Sequence, residues 1–227
     1  MIDVAVVDYG MGNLRSVAKA IEHVAPGLAV EVTSDARQVM RAGRVVFPGQ
    51  GAMPDCMREM ETRGLREAVL EAAGAKPFLG ICIGLQMLFE ASEEGDTPGL
   101  ALLSGRVRRF PAGSMVASGG VRLKVPHMGW NEVQQTADHP LWRGIPQGSR
   151  FYFVHSYFPV PGSRELTAGE TIYGVPFTSA AARGNIFAVQ FHPEKSAEAG
   201  LRLLANFVEW QPAVQHATRR AAASPAA

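Results

Sequence analysis

Apolar residues follow two different rhythms along this chain, and the change comes about midway. In the first half, unbroken apolar runs alternate with helical stripes. VAVVDYG (Val4–Gly10) is continuous and ends in glycine, as a strand buried on both faces does. After it, Leu14, Val17, Ala18 and Ile21 repeat at helical spacing, which predicts a helix through Val24 with Asn13 as its cap. AVEV (Ala29–Val32) reads as a strand, and RVVFPG (Arg44–Gly49) as another that Pro48 and Gly49 terminate. Arg58–Ala73 reads as one helix, PFLGI (Pro77–Ile81) as a short strand, and Leu85–Ala91 as a helix. Strand and helix in regular alternation predict an α/β fold, with a mostly parallel central sheet covered by helices.

The second half loses the helices. SGRVRRF (Ser104–Phe110), VRLKVP (Val121–Pro126), NEVQQ (Asn131–Gln135), RFYFVHSYF (Arg150–Phe158) and IFAVQFHPE (Ile186–Glu194) are strand-like, with Pro and Gly between them. A last amphipathic helix carries Leu201, Leu204, Phe207 and Val208. From Pro212 onward the chain has little to bury, which predicts a disordered tail over 212–227 behind a single domain over 1–211.

Charge narrows the classes. Lys and Arg total 22 and Asp and Glu total 21, with no basic cluster in the folded part, so nothing points to nucleic acid. The longest uncharged apolar stretch, Phe78–Phe89, falls short of the roughly 20 residues a membrane helix needs. The opening MIDVAVVDYG lacks the basic segment of a signal peptide, and there are only two cysteines, so a cytoplasmic protein is expected.

One stretch carries chemistry. In FLGICIGLQ, Cys82 has a glycine two places before it and two after, where a strand gives way to a helix. A nucleophile on a sharp strand-to-helix turn needs that freedom, and a following helix N-terminus favours thiolate. The N–H of Ile83 would then face a developing oxyanion. The alternative is a small buried structural cysteine. A nucleophilic cysteine needs a base and a group to orient it. His192 ends the apolar strand AVQFHPEKS; with extended backbone, Glu194 lies on the same side two residues on. A surface His and Glu at a strand end is the plain alternative. H-x-E also occurs in zinc deaminases, but no C-x-x-C follows it here, so no metal is expected.

GICIGLQ with FHPEKS resembles the class I glutamine amidotransferases, whose triad runs Cys, His, Glu in chain order. DYGMGNL (Asp8–Leu14), PHMGWN (Pro126–Asn131) and FYFVHSY (Phe151–Tyr157) resemble one branch of that family, the glutaminase subunits that feed imidazole glycerol phosphate synthesis. The resemblance extends to about Gln211; it departs at Ile83, where leucine is usual, and in the tail.

That resemblance implies a flavodoxin-like fold with added antiparallel strands, and hydrolysis of the glutamine side-chain amide by Cys82, His192 and Glu194 without a cofactor. It implies that a second oxyanion donor comes from Gly49, Gln50 and Gly51, alongside Ile83, with the Gln50 side chain pointing away. It implies that Gln86, Glu94 and backbone groups at His155 and Ser156 hold glutamine. No P-loop or dinucleotide fingerprint offers an ammonia acceptor, so the resemblance implies a partner: a (β/α)₈-barrel cyclase met through Asn13, Trp130, Asn131 and Lys195. A glutaminase serving another synthase, a free-standing γ-glutamyl hydrolase and an inactive α/β module are the competing readings.

Overall fold

The computed structural model describes residues 2–111, 115–116, 120 and 122–212. Chain order runs β1 (Val4–Val7), α1 (Leu14–Val24), β2 (Val30–Thr33), α2 (Ala36–Arg41), β3 (Arg44–Gly49), α3 (Met53–Thr62), α4 (Arg66–Ala75), β4 (Phe78–Cys82) and α5 (Ile83–Gln86). There follow β5 (Ala91–Ser92), β6 (Thr97–Pro98), β7 (Gly105–Arg109), β8 (His127–Glu132), β9 (Gln134–Gln135), β10 (Arg150–His155), β11 (Tyr157–Pro161), β12 (Thr167–Tyr173), β13 (Val175–Arg183), β14 (Ile186–Val189) and α6 (Ala197–Glu209).

Eight strands form the central sheet in the order β2-β1-β3-β4-β14-β13-β12-β9. The first five are mutually parallel and the last three add antiparallel. Every residue of β1, β4 and β14 is buried, as continuous apolar runs in a parallel sheet require. The register sets Gly49 beside Cys82 and Ile81 beside Val189. The carboxyl ends of β3, β4 and β14 therefore meet at one edge, where ligands bind in open parallel sheets. Two smaller sheets, β10-β8 and β11-β7-β5-β6, lie beside it.

Several sequence expectations change. Asn13 precedes α1, but its side chain makes no capping bond. The helix expected over 58–73 is two helices, because Gly64 takes φ +65° and ends α3. Gly64 N–H donates to the Glu61 carbonyl at 2.9 Å and Leu65 N–H to that of Met60 at 3.0 Å, a Schellman closure. The helix expected over 85–91 stops at Gln86. Backbone N–H groups of Gly99, Leu100, Ala101 and Leu103 take the carbonyls of Glu90, Met87, Phe89 and Leu88, so a longer helix has no acceptors left. The strand expected over 150–158 breaks at Ser156, where the chain leaves β8 for β7. The strand expected over 121–126 is reduced to a single bridge between Val116 and Arg122. The hairpin β12–β13 went unforeseen. The expected tail lies, Pro212 apart, outside the described residues.

Candidate active site

Cys82 ends β4 with φ 56° and ψ −110°, a left-handed conformation that ordinary side chains avoid. The turn is held by close approach on both sides. A Cβ on Gly84 would fall on the Phe47 carbonyl oxygen of β3, and one on Gly80 would come 2.9 Å from the Ala188 Cβ of β14. The flanking glycines thus seat the elbow between its neighbouring strands, rather than supplying unusual φ angles themselves. Gly84→Ala should cost about 1–3 kcal/mol or more through overpacking, and shift Cys82 with it. Urea unfolding and glutamine turnover on that variant check this, with an unchanged stability contradicting the packing.

α5 has only four residues, so the expected helix dipole behind the sulfur is slight. As its first residue, Ile83 has an N–H with no intrahelical acceptor. Beside it, β3 ends in the loop expected to give a second donor. Gln50 and Gly51 line a cavity of about 340 Å³ together with Cys82 and Ile83, while Gly49 lies beneath, close to Tyr9 and Ile83. Tyr9 Oη donates to the Pro48 carbonyl at 2.7 Å and Cys56 Sγ to the Gln50 carbonyl at 3.6 Å. Burial pushes the Cys56 thiol up to about 11, so it remains a donor at neutral pH.

His192 lies past the end of β14 in the same cavity wall. Glu194 reaches it, with Nδ1–H donating to Oε1 at 2.9 Å, but not by the extended geometry expected from sequence. Residues 193–195 form a 3₁₀ turn started by Pro193, and that turn folds the carboxylate back under the imidazole. The two side chains are 6% and 2% exposed. Burial pulls the proton affinity of His192 down, but the Cys82 sulfur and the Glu194 carboxylate beside it outweigh this and carry it up to about 10. Nε2 has no partner in hydrogen-bond geometry among the described residues, so Cys82 acts on it through proximity. With that raised affinity, a proton leaving Cys82 comes to rest on His192.

Gln86 Nε2 donates to the Tyr157 carbonyl and to Gln190 Oε1, both at 3.0 Å, and Gln190 Nε2 stands 3.7 Å from Cys82 Sγ. Gln190 is fully buried and was missed from sequence, though a lone amide inside the apolar run AVQF was a visible signal. Glu94 lines the cavity, with Oε2 accepting from Met53 N–H at 2.8 Å, at the start of α3. His155 and Ser156 also line it. The Ser156 carbonyl accepts from Phe110 N–H at 3.0 Å, which leaves its second lone pair and the Ser156 N–H as groups for holding glutamine.

The residues expected at a partner surface sit apart from this cavity. Asn13 is exposed, Trp130 is 44% exposed, Asn131 and Lys195 are half-buried, and none lines the catalytic cavity. Among the described residues no cluster of His, Cys, Asp and Glu is arranged to hold a metal, and no helix is long and apolar enough to cross a membrane.

Burial also depresses three histidines, His127 and His139 to about 4 and His155 to about 3. Unfolded, each returns to about 6.5. Between about pH 6.5 and 4 the unfolded chain thus binds more protons, and stability falls as pH drops through that window. His192, being raised, contributes fully below about 6.5 and loses its contribution only as pH climbs through about 10. Urea unfolding at pH 7 and pH 4.5 should differ by a few kcal/mol. Equal stabilities would mean that these imidazoles are not held neutral.

Comparison with known proteins places the chain in a family. The family model for glutamine amidotransferase class-I matches residues 5–210. The imidazole glycerol phosphate synthase subunit HisH of Aromatoleum aromaticum is 70% identical over 212 residues, covering 93% of this chain and 100% of that protein. The protein of the same name from Thiobacillus denitrificans is 64% identical over 217 residues, covering 96% and 95%. Among solved structures, a glutamine amidotransferase matches with TM-score 0.68 at 16% identity, over 91% of this chain and 99% of that one. A glutamine amidotransferase from Thermotoga maritima matches with TM-score 0.54 at 16% identity, over 92% and 83%. Those two likenesses speak to the fold alone. With its nucleophile elbow, its paired His and Glu and a family match over nearly its whole length, the chain belongs to the class I glutamine amidotransferase family.

Proposed function

We propose that this chain is the glutaminase subunit of an imidazole glycerol phosphate synthase, working in the cytoplasm and passing ammonia to a separate (β/α)₈-barrel cyclase for histidine biosynthesis. The observation that carries the reading is the 70% identity, over 93% of the chain, to a protein bearing that subunit's name.

The triad geometry supports a balanced sequence of steps. Cys82 Sγ attacks the side-chain carboxamide carbon of glutamine while His192 Nε2 takes the thiol proton. The carbonyl oxygen becomes an oxyanion, facing Ile83 N–H and an N–H from the Gly49–Gly51 stretch. As the C–N bond breaks, His192 returns the proton and ammonia leaves, with a γ-glutamyl thioester on Cys82. A water then gives its proton to His192 and its oxygen to the thioester carbon. Glutamate departs, and the proton goes back to sulfur. Glu194 keeps the imidazole tautomer with Nδ1–H and stabilises the imidazolium, as the acid does in serine triads.

Gln86, Glu94 and backbone groups at His155 and Ser156 supply the polar wall that holds glutamine. Trp130, exposed beside Asn131, is the aromatic anchor of the partner surface, to which Asn13 and Lys195 also belong. One assay tests the whole reading: ammonia and glutamate release from glutamine, by the chain alone and with the barrel cyclase. Cyclase-dependent turnover with formation of imidazole glycerol phosphate supports it; full glutamine hydrolysis indifferent to the cyclase sinks it.

A further inference from the structure

Two buried histidines stand between the catalytic cavity and the outer surface. His127 starts β8, His155 ends β10, and the strand register sets them opposite each other. They are 2% and 5% exposed. The direction of every hydrogen bond through them follows from chemistry. A carbonyl cannot donate, so His155 Nδ1 donates to the Tyr157 carbonyl, 2.8 Å away. Held neutral by burial, His155 then has only a lone pair on Nε2, and His127 Nδ1 donates to it at 3.0 Å. That leaves His127 Nε2 as an acceptor, and Asn131 Nδ2 donates to it at 3.3 Å while also donating to the Ile172 carbonyl at 3.0 Å.

The relay therefore runs one way, from Asn131 through both imidazoles to the Tyr157 carbonyl. That same carbonyl receives Gln86 Nε2 from the site side. With Gln190 Oε1 it occupies both amide protons of Gln86, so the carboxamide cannot rotate without losing them. Gln86 Oε1 is left buried with no partner among the described residues, and Gln86 is one of the residues lining the cavity that holds Cys82. A buried acceptor without a donor is costly unless a ligand supplies one.

We propose that His127, which does not itself line the catalytic cavity, is a positioning residue for glutamine: by fixing His155 and through it the Tyr157 carbonyl, it keeps Gln86 Oε1 free as an acceptor for an N–H group of the substrate. The inference rests on the glutaminase reading and deepens it. It also places the head of the relay, Asn131, in the wall of an outer cavity of about 570 Å³ together with His127 itself.

A purely structural role competes, since the His127 ring stacks on Tyr173 with centroids 3.9 Å apart and on Phe153 at 4.8 Å. Two replacements separate the roles. His127→Asn keeps a donor near the position of Nδ1; His127→Leu keeps apolar bulk and removes the donor. Both are made in the full chain carrying Cys82→Ala, and the affinity for glutamine itself is measured by calorimetry, with melting temperature as the check on folding. The relay predicts that His127→Leu weakens glutamine binding about tenfold, the loss of one buried hydrogen bond. His127→Asn should stay within about threefold of the parent, one hydrogen bond's worth of affinity being retained. Equal weakening in both variants, or none in either, overturns the proposal. Should His127→Leu not fold, imidazole nitrogen NMR on the unaltered protein decides instead. Both rings must carry their proton on Nδ1, and a proton on Nε2 of either ring overturns the relay. If the Cys82→Ala parent binds no glutamine at all, the glutaminase reading falls first, and the inference falls with it.

Discussion

Cys82→Ala should abolish glutamine-dependent ammonia release while leaving the fold and partner binding intact. The side chain is small and 4% exposed, and its polar neighbour is Gln190 Nε2 at 3.7 Å, so losing the sulfur removes little packing. Alanine is no worse than cysteine at φ 56°, since both bear a Cβ. The chemistry, by contrast, loses its only carbon-attacking atom. In serine-protease triads, losing the nucleophile costs on the order of a millionfold. Glutamate release measured with a coupled assay should fall to background. With ammonium salts, the variant in complex with the cyclase should still form imidazole glycerol phosphate. Normal turnover on glutamine would show that Cys82 is not the nucleophile. His192→Ala should approach the same loss, because both proton transfers pass through that imidazole. Glu194→Gln should be milder: it keeps an oxygen near Nδ1 and removes only the charge that favours imidazolium. Equal losses from those two changes would contradict the assigned roles.

Activation by the cyclase and its ligand should raise glutamine turnover by roughly a hundred- to a thousandfold, the worth of one oxyanion donor. The site shows where such a switch can sit. The peptides on either side of the Gly49–Gln50 peptide have their carbonyls engaged, Pro48 by Tyr9 and Gln50 by Cys56. The Gly49–Gln50 peptide can turn while both anchors hold, and glycine at 49 makes that rotation inexpensive. In one orientation a carbonyl faces the cavity; in the other an N–H does, joining that of Ile83. A partner can bias this choice only by the difference in its affinity for the two states. Because the second donor acts on the oxyanion and not on bound glutamine, the rise belongs in kcat, with KM little changed. Titrating cyclase and its ligand against glutamine hydrolysis reads this directly. An isolated chain already working at the rate of the liganded complex would rule the switch out.

How legible the site was depends on how far apart its members lie in sequence. The Cys82 elbow is local, and its glycines announce it. Even there the reason was only half visible, since Gly84 is required by the Phe47 carbonyl of another strand. Spacing brought Glu194 to His192, yet through the wrong backbone, because a 3₁₀ turn and not a strand makes the contact. Gln190 and His127 went unread. Their partners lie 104 and 28 residues away, and no periodicity links positions on elements whose packing is unknown. The β12–β13 hairpin escaped for a related reason: TAGETIYGVPFTSAAARG mixes Gly, Ala and Thr through both faces, so alternation is blurred although the strands pair over most of their length.

What the sequence determined by itself is the class of the fold and the identity of the chemistry. Strands buried on both faces must be apolar throughout, and helices buried on one face must carry a stripe, so burial writes the parallel α/β half directly into residue order. The nucleophile, base and orienting acid are rare residue types in constrained neighbourhoods, and those too survive in one dimension. The tertiary structure alone decided where elements end and which polar groups meet. α5 stops because distant N–H groups claim the carbonyls of Met87, Leu88, Phe89 and Glu90 just beyond it, and Gln86 is oriented because the Tyr157 carbonyl arrives from another sheet. Hydrogen bonds are directional and reach only about 3 Å, so their partners exist only once the strands have been brought into register.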